Sequence, residues 1–186
     1  DANDITLTTV TSGNITLGTV TATGAGDVTL VAAGAGVIAN AADNAGAEIV
    51  ADVFTVTDAT SIGVGGSGPV DINATTASIT GVSGAILVDA VGSGGLALTA
   101  TTTAAGGITV TTTTEALTLT SVTTNDGAIL VTATGQNIIA TSVTSSTSSD
   151  ANDITLTTVT SGNITLGTVT STGAGDVIVA SVGTLE

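Results

Sequence analysis

The chain has 186 residues, 15 of them Asp or Glu and none Lys, Arg or His, so its formal charge is −15 and nucleic acid is excluded as a partner: nothing here attracts phosphate. Apolar residues still make up 42%, which excludes a disordered acidic tail. One Phe, no Trp, Tyr or Met and no Cys leave small β-branched residues to fill the core, and rule out a disulfide framework or a thiolate metal site.

In chain order, strand-like runs open at Ile5, Ile15, Val28, Ile38 and Ile49, then at Ile62, Ile72, Ile86, Leu96 and Ile108, and finally at Leu117, Ile129, Ile138, Ile154, Ile164 and Val177. Alternate members are evenly spaced. Ile5 to Val28 spans 23 residues, while Val28 to Ile49, Ile108 to Ile129 and Leu117 to Ile138 each span 21. A short alternation nested in a period of 21–23 residues is how a solenoid coil with two strand-bearing sides looks in sequence. The fold class expected is therefore all-β, a parallel β-solenoid, with residues 1–186 forming one continuous segment.

Within a run such as Asp4-Ile5-Thr6-Leu7-Thr8, Ile5 and Leu7 face inward and the Thr residues face water. Ser12-Gly13-Asn14 and Gly24 to Asp27 supply corners, because Gly and Asn tolerate the backbone of a tight turn. Only Ala39 to Phe54 is Ala-rich enough to hold a short helix. No apolar run approaches the length of a membrane span, and no basic leader precedes one.

The opening stretch, "DANDITLTTVTSGNITLGTVTATGAGDV", returns at 150–177 with a single change, Ala22 to Ser171. If the copies occupy the same side of the coil, the 149 residues between them hold a whole number of coils, seven of about 21.3 residues each. The runs from Ile5 to Ile154 give 13 steps, so that count needs one more side, for which Ile79 is the candidate. Asp150 is then expected directly above Asp1.

Asp4, Asp27, Glu48 and Asp71 each precede the first apolar residue of a run, at intervals of 23, 21 and 23, and are expected to stack. At a strand spacing near 4.8 Å, neighbouring carboxylates repel by about 0.9 kcal/mol in water and about 3.5 kcal/mol at an effective dielectric of 20. With no basic side chain to offset this, Ca²⁺ is the cofactor that such a ladder would take, joined by Asp150, Asp153 and Asp176 of the second copy. Hydrated turn acids are the ordinary alternative.

Thr-x-Thr pairs such as Thr6/Thr8, Thr55/Thr57, Thr109/Thr111 and Thr118/Thr120 raise a second possibility, since some solenoid antifreeze proteins are similar in carrying a Thr-x-Thr lattice. One coil beyond Thr109/Thr111, however, come Leu130 and Thr132, and one coil beyond Thr118/Thr120 come Ile139 and Thr141. On those pairs the lattice breaks. Asn14, Asn73 and Asn163 sit in Asn-x-Ser/Thr sequons, which a Thr-rich chain produces freely.

An enzyme is not expected. There is no His or Cys for a triad, no Lys for a Schiff base, and no Tyr or Trp on which sugar rings could stack. Only carboxylate pairs such as Asp52 with Asp58, or Glu115 with Asp126, could serve a glycan-cleaving β-helix.

Runs such as "GNITLGTVTATGAGDVTLVAAGAG" and "GAILVTATGQNIIA" resemble the repeats of large secreted bacterial β-helix adhesins of the filamentous-haemagglutinin type. The resemblance implies a right-handed parallel β-helix, an extracellular or cell-surface location and a non-enzymatic structural role in a fibre, stalk or sheath. Its partners would be copies of itself or further repeats of the same chain, stacked end to end. An ice-binding Thr-rich solenoid is the alternative, and a glycan-cleaving β-helix a more distant one.

Overall fold

The structure, a computed structural model, describes residues 3–42, 46–147 and 152–186. Asp1 and Asp150, whose stacking the sequence invites, lie outside them.

Among the described residues the chain forms strands and turns with no helix. The first coils carry β1 (Ile5–Thr9), β2 (Ile15–Leu17), β3 (Val20–Thr21), β4 (Val28–Ala32), β5 (Val37–Asn40), β6 (Ile49–Asp58) and β7 (Ser61–Ile62). The middle carries β8 (Val70–Val82), β9 (Ile86–Ala90), β10 (Leu96–Ala105), β11 (Ile108–Thr112) and β12 (Leu117–Asp126). The last coils carry β13 (Ile129–Thr134), β14 (Ile138–Ser145), β15 (Ile154–Val159), β16 (Ile164–Ser171) and β17 (Val177–Ala180). Every registered pairing is parallel, and the strands join one continuous sheet wound as a parallel β-solenoid of about seven turns with about 23 residues per coil. The expected fold class holds. Ala39 to Phe54 contributes strand at both ends, β5 and β6, in place of the short helix its alanines allowed.

Two columns of stacked residues define the sides. On one, Ile15, Ile38, Ile62, Ile86, Ile108, Ile129 and Ile154 lie directly over one another and end beneath Val177. On the other, Ile5, Val28, Phe54, Ala77, Leu98, Leu119, Ala140 and Leu166 do the same. Each column makes seven steps, an axial rise of about 34 Å at a strand spacing near 4.8 Å. The isoleucine column forms one wall of the apolar core: from Ile38 to Ile154 every member is fully buried. β-Branched side chains suit this wall because their stiff rotamers nest against identical neighbours one strand away.

The near-duplicate segments do not share a side. Ile5 belongs to the Phe54 column and its counterpart Ile154 to the isoleucine column, so six and a half coils separate them rather than seven. Ile79 adds no extra side, because it lies with Ile72 on the single long strand β8, where it pairs with Val56 and Ala100. Locally the two copies nevertheless fold alike. Asp27 N donates to Asp4 Oδ1 at 3.0 Å and Asp176 N to Asp153 Oδ1 at 2.8 Å, and the Thr9 and Thr158 hydroxyls donate to the Gly13 and Gly162 carbonyls at 3.1 and 3.0 Å.

Thr does not always face water. Thr102, Thr112, Thr124, Thr158 and Ser145 are buried at the strand ends. There Thr102 donates to Gly106 O at 3.0 Å, and Thr124 and Ser145 reach Gly127 O at 2.6 and 3.0 Å. These hydroxyls satisfy carbonyls that the corners leave without a ladder partner. At that corner Gly84, Gly106 and Gly127 stack so closely that a Cβ on Gly127 would lie 2.6 Å from the Gly106 carbonyl. Glycine is needed here for close approach.

Candidate functional site

Three features could carry function: the acids at the corners, the outward hydroxyls, and the faces of the first and last coils. The corner acids serve first as acceptors for the backbone one coil on. Asp4 Oδ1 accepts from Asp27 N, Asp27 Oδ1 from Val53 N at 3.2 Å, Glu48 Oε2 from Asp71 N at 2.8 Å, and Asp153 Oδ1 from Asp176 N. Asn14, Asn137 and Asn163 do the same for Val37, Asn163 and Thr184 at 2.8–3.0 Å. A carbonyl or carboxylate oxygen at such a corner caps an N–H that the turn would otherwise strand.

The expected four-rung ladder is split. Asp4 and Asp27 stand beneath Val53 in the Phe54 column, whereas Glu48 and Asp71 precede Ile49 and Ile72, which stack on Val20 at a separate corner. The cause is a 26-residue coil between Val28 and Phe54, which moves Glu48 out of line with Asp27. Asp153 and Asp176 form a third pair, and Asn152 beside them is buried, its Nδ2 donating to Ser146 O at 2.8 Å. Asp150 falls outside the described residues. Among the described residues no three acidic side chains converge as an ion would need.

The corner of Glu48 continues into acids that spacing did not single out as partners. Asp71 is registered opposite Asp89, and the Asp89 charge acts on Glu115. Glu48, Asp71 and Glu115 are all buried. Glu115 reaches back one coil, where Oε1 accepts from Gly92 N and Oε2 from Gly95 N, both at 3.0 Å. Burial pushes its carboxyl above the usual glutamate range and Asp89 adds to that, while the two N–H donors pull the other way. The pair read as Glu115 with Asp126 is not brought together as a matched acid and base: Asp126, at the end of β12, accepts from the Thr147 hydroxyl at 3.1 Å.

This geometry sets the expected response to cations. Millimolar CaCl₂ should raise the unfolding midpoint no more than NaCl at matched ionic strength, since both screen a −15 chain and the corner oxygens already hold N–H donors. Asp27→Asn should leave both shifts in place, because Asn Oδ1 can accept the same bond from Val53. A calcium-specific rise that this substitution removes would restore the ladder.

The outward hydroxyls form a lattice in a frame other than the one the Thr-x-Thr pairs suggested. Thr6, Thr29, Thr55, Ser78, Thr99 and Ser121 follow one another in register along the outside of the Phe54 column. Ser142 and Thr168 extend the line. Two residues along each strand, Thr101, Thr123, Thr144 and Thr170 make a second line through four successive coils. The Thr109/Thr111 and Thr118/Thr120 pairs break as expected, against Leu130 and Ile139. Separately, an open cleft of about 480 Å³ lies between Asn14, Thr16 and Ala39 and the Val64–Ser67 loop, lined by no titratable side chain.

Comparison of the chain with protein-family models, curated proteins and solved structures finds no match.

Proposed function

We propose that this solenoid is a mechanical element, a non-enzymatic structural segment of an extracellular fibre, stalk or sheath. The observation that carries the reading is the uninterrupted parallel ladder from β1 to β17, in which every coil hands the same kind of core to the next. Length and stiffness in such an array come from adding coils, since each contacts only its neighbours. The extracellular or cell-surface setting follows from the resemblance to adhesin repeats. Pulling the folded chain along its axis by handles at both ends tests the reading. The expected record is resistance followed by stepwise release of single coils, and collapse in one step at the lowest loads would count against it.

A second reading, ice binding, is favoured by the two hydroxyl lines. Their rungs repeat at about 4.8 Å across strands and about 6.6 Å along them, a regular two-dimensional array of donors and acceptors. On the fibre reading, micromolar protein leaves ice growth unchanged. Thermal hysteresis abolished by Thr101→Leu or Thr123→Leu and indifferent to Thr109→Leu would select the ice reading instead.

A further inference from the structure

The repeated segment allows one sequence to be compared in the two settings it occupies along the solenoid. In the second copy Ile154 and Leu156 are fully buried and Thr158 is 2% exposed, because β13 runs directly beneath them. The same residues in the first copy, Ile5, Leu7 and Thr9, are half-buried, and nothing pairs with the lower edge of β1 among the described residues. At the other end the contrast reverses. Val28 is fully buried under β6, while its counterpart Val177 is 45% exposed, beside exposed Ile178, Val182 and Leu185. Identical sequences in unequal surroundings show that, among the described residues, β1 and β17 each leave one edge unpaired.

The last run also resembles the seat that the second copy already uses. Beneath Asp153 to Leu166 lies Ile129-Leu-Val-Thr-Ala-Thr-Gly135-Gln-Asn-Ile138, with Ile129 under Ile154 and Ile138 under Ile164. The final run, Val177-Ile-Val-Ala-Ser-Val-Gly183-Thr-Leu185, repeats that pattern with one residue fewer after the strand and a Gly at the same point. Leu185 has already turned the corner to pair with Ile164. Val177 and Leu185 thus stand in the columns of Ile129 and Ile138, two coils further on.

We propose that the last coil of one copy is the seat for the first coil of a second copy, with Val177–Ala180 lying in parallel register beneath Ile5–Thr9 and Leu185 beneath Ile15. This rests on the reading of the solenoid as a fibre element and adds to it the partner and the register. The second copy turns by half a coil about the axis, because β1 and β17 belong to different columns of their own chains. Val177 N then donates to Asp4 O of the second copy, as Ile129 N does to Asp153 O at 2.8 Å. The junction also lines up Asp153 and Asp176 with Asp4 and Asp27 of the second copy, four carboxylates with no basic residue near them. Assembly should therefore strengthen as salt is raised.

Because the chain has no Cys, the register can be read by cross-linking. Thr155 and Ile178 are register neighbours within the chain, so Thr155→Cys with Ile178→Cys is the intramolecular positive control. Thr6→Cys with Ile178→Cys places the same pair of positions across the proposed junction. Mild oxidation of this variant at raised NaCl should give a ladder of disulfide-linked multimers, at least tenfold more than Thr6→Cys with Glu186→Cys, which reports stacking without the half-coil turn. Multimers from the Glu186 variant, or dimers from Thr6→Cys alone, would overturn the register. Monomers throughout, with the control pair oxidised, would overturn the junction and leave the fibre reading to be judged by the pulling experiment.

Discussion

Phe54→Ala should destabilise the chain by about 3–5 kcal/mol, the range for removing a fully buried Phe. Phe54 is the single aromatic residue of the chain and is buried in its column between Val28 below and Ala77 above. Those two neighbours are small, so neither can extend into the space the ring leaves. The backbone cannot close over the hole either, since β6 is pinned to β4 on one edge and β8 on the other. Phe54→Leu should cost markedly less, because it keeps most of the volume. Chemical denaturation followed by far-ultraviolet circular dichroism measures both. A loss under about 1 kcal/mol for the alanine variant would mean that the early coils are looser than their packing implies.

Much of the coil arithmetic is legible in sequence. With no side added at Ile79, the even-numbered apolar runs from Ile15 to Val177 are the very residues that stack in the isoleucine column. Identical sequences here occupy different sides. In a two-sided coil each side asks only for inward apolar alternation and a corner rich in Gly, Asp or Asn, so one sequence serves on either. The corner bonds of Asp4 and Asp153 are the same although their columns differ.

The acids and hydroxyls were legible in kind but not in position. Spacing found Asp4, Asp27, Glu48 and Asp71 at one phase of the repeat, yet uneven coil lengths, 23 residues from Ile5 to Val28 and 26 from Val28 to Phe54, break a ladder that a constant period would build. The same irregularity hid the hydroxyl lines. Thr120 is an extra residue in β12 that shifts Thr99 onto Ser121, and a fixed period cannot reveal a bulge. Buried Thr102 and Thr124 turn their hydroxyls onto the carbonyls of the corner glycines, and residue spacing does not show where those corners turn.

Glu115 should prove the costliest acid to truncate. Glu115→Ala would leave the N–H groups of Gly92 and Gly95 without acceptors in a buried corner, at about 1–3 kcal/mol for each donor left unpaired. Its pH signature separates this anchoring from a generic loss. The folded chain holds the Glu115 proton more tightly than the unfolded chain does, first because the carboxyl is buried and then because Asp89 is beside it. A carboxyl raised in the folded state adds stability that is fully present below its unfolded value and fades as pH rises through its folded value. The unfolding midpoint should therefore fall from mildly acidic pH towards neutral. The other acids of a −15 chain push in the same direction, so the informative quantity is the difference between the wild type and Glu115→Gln. The amide keeps one acceptor oxygen and cannot ionise; it should cost stability at acidic pH, where the wild type is protonated, and recover ground as pH rises. A constant offset between the two proteins across that window would show that Glu115 holds its corner without gaining a proton there.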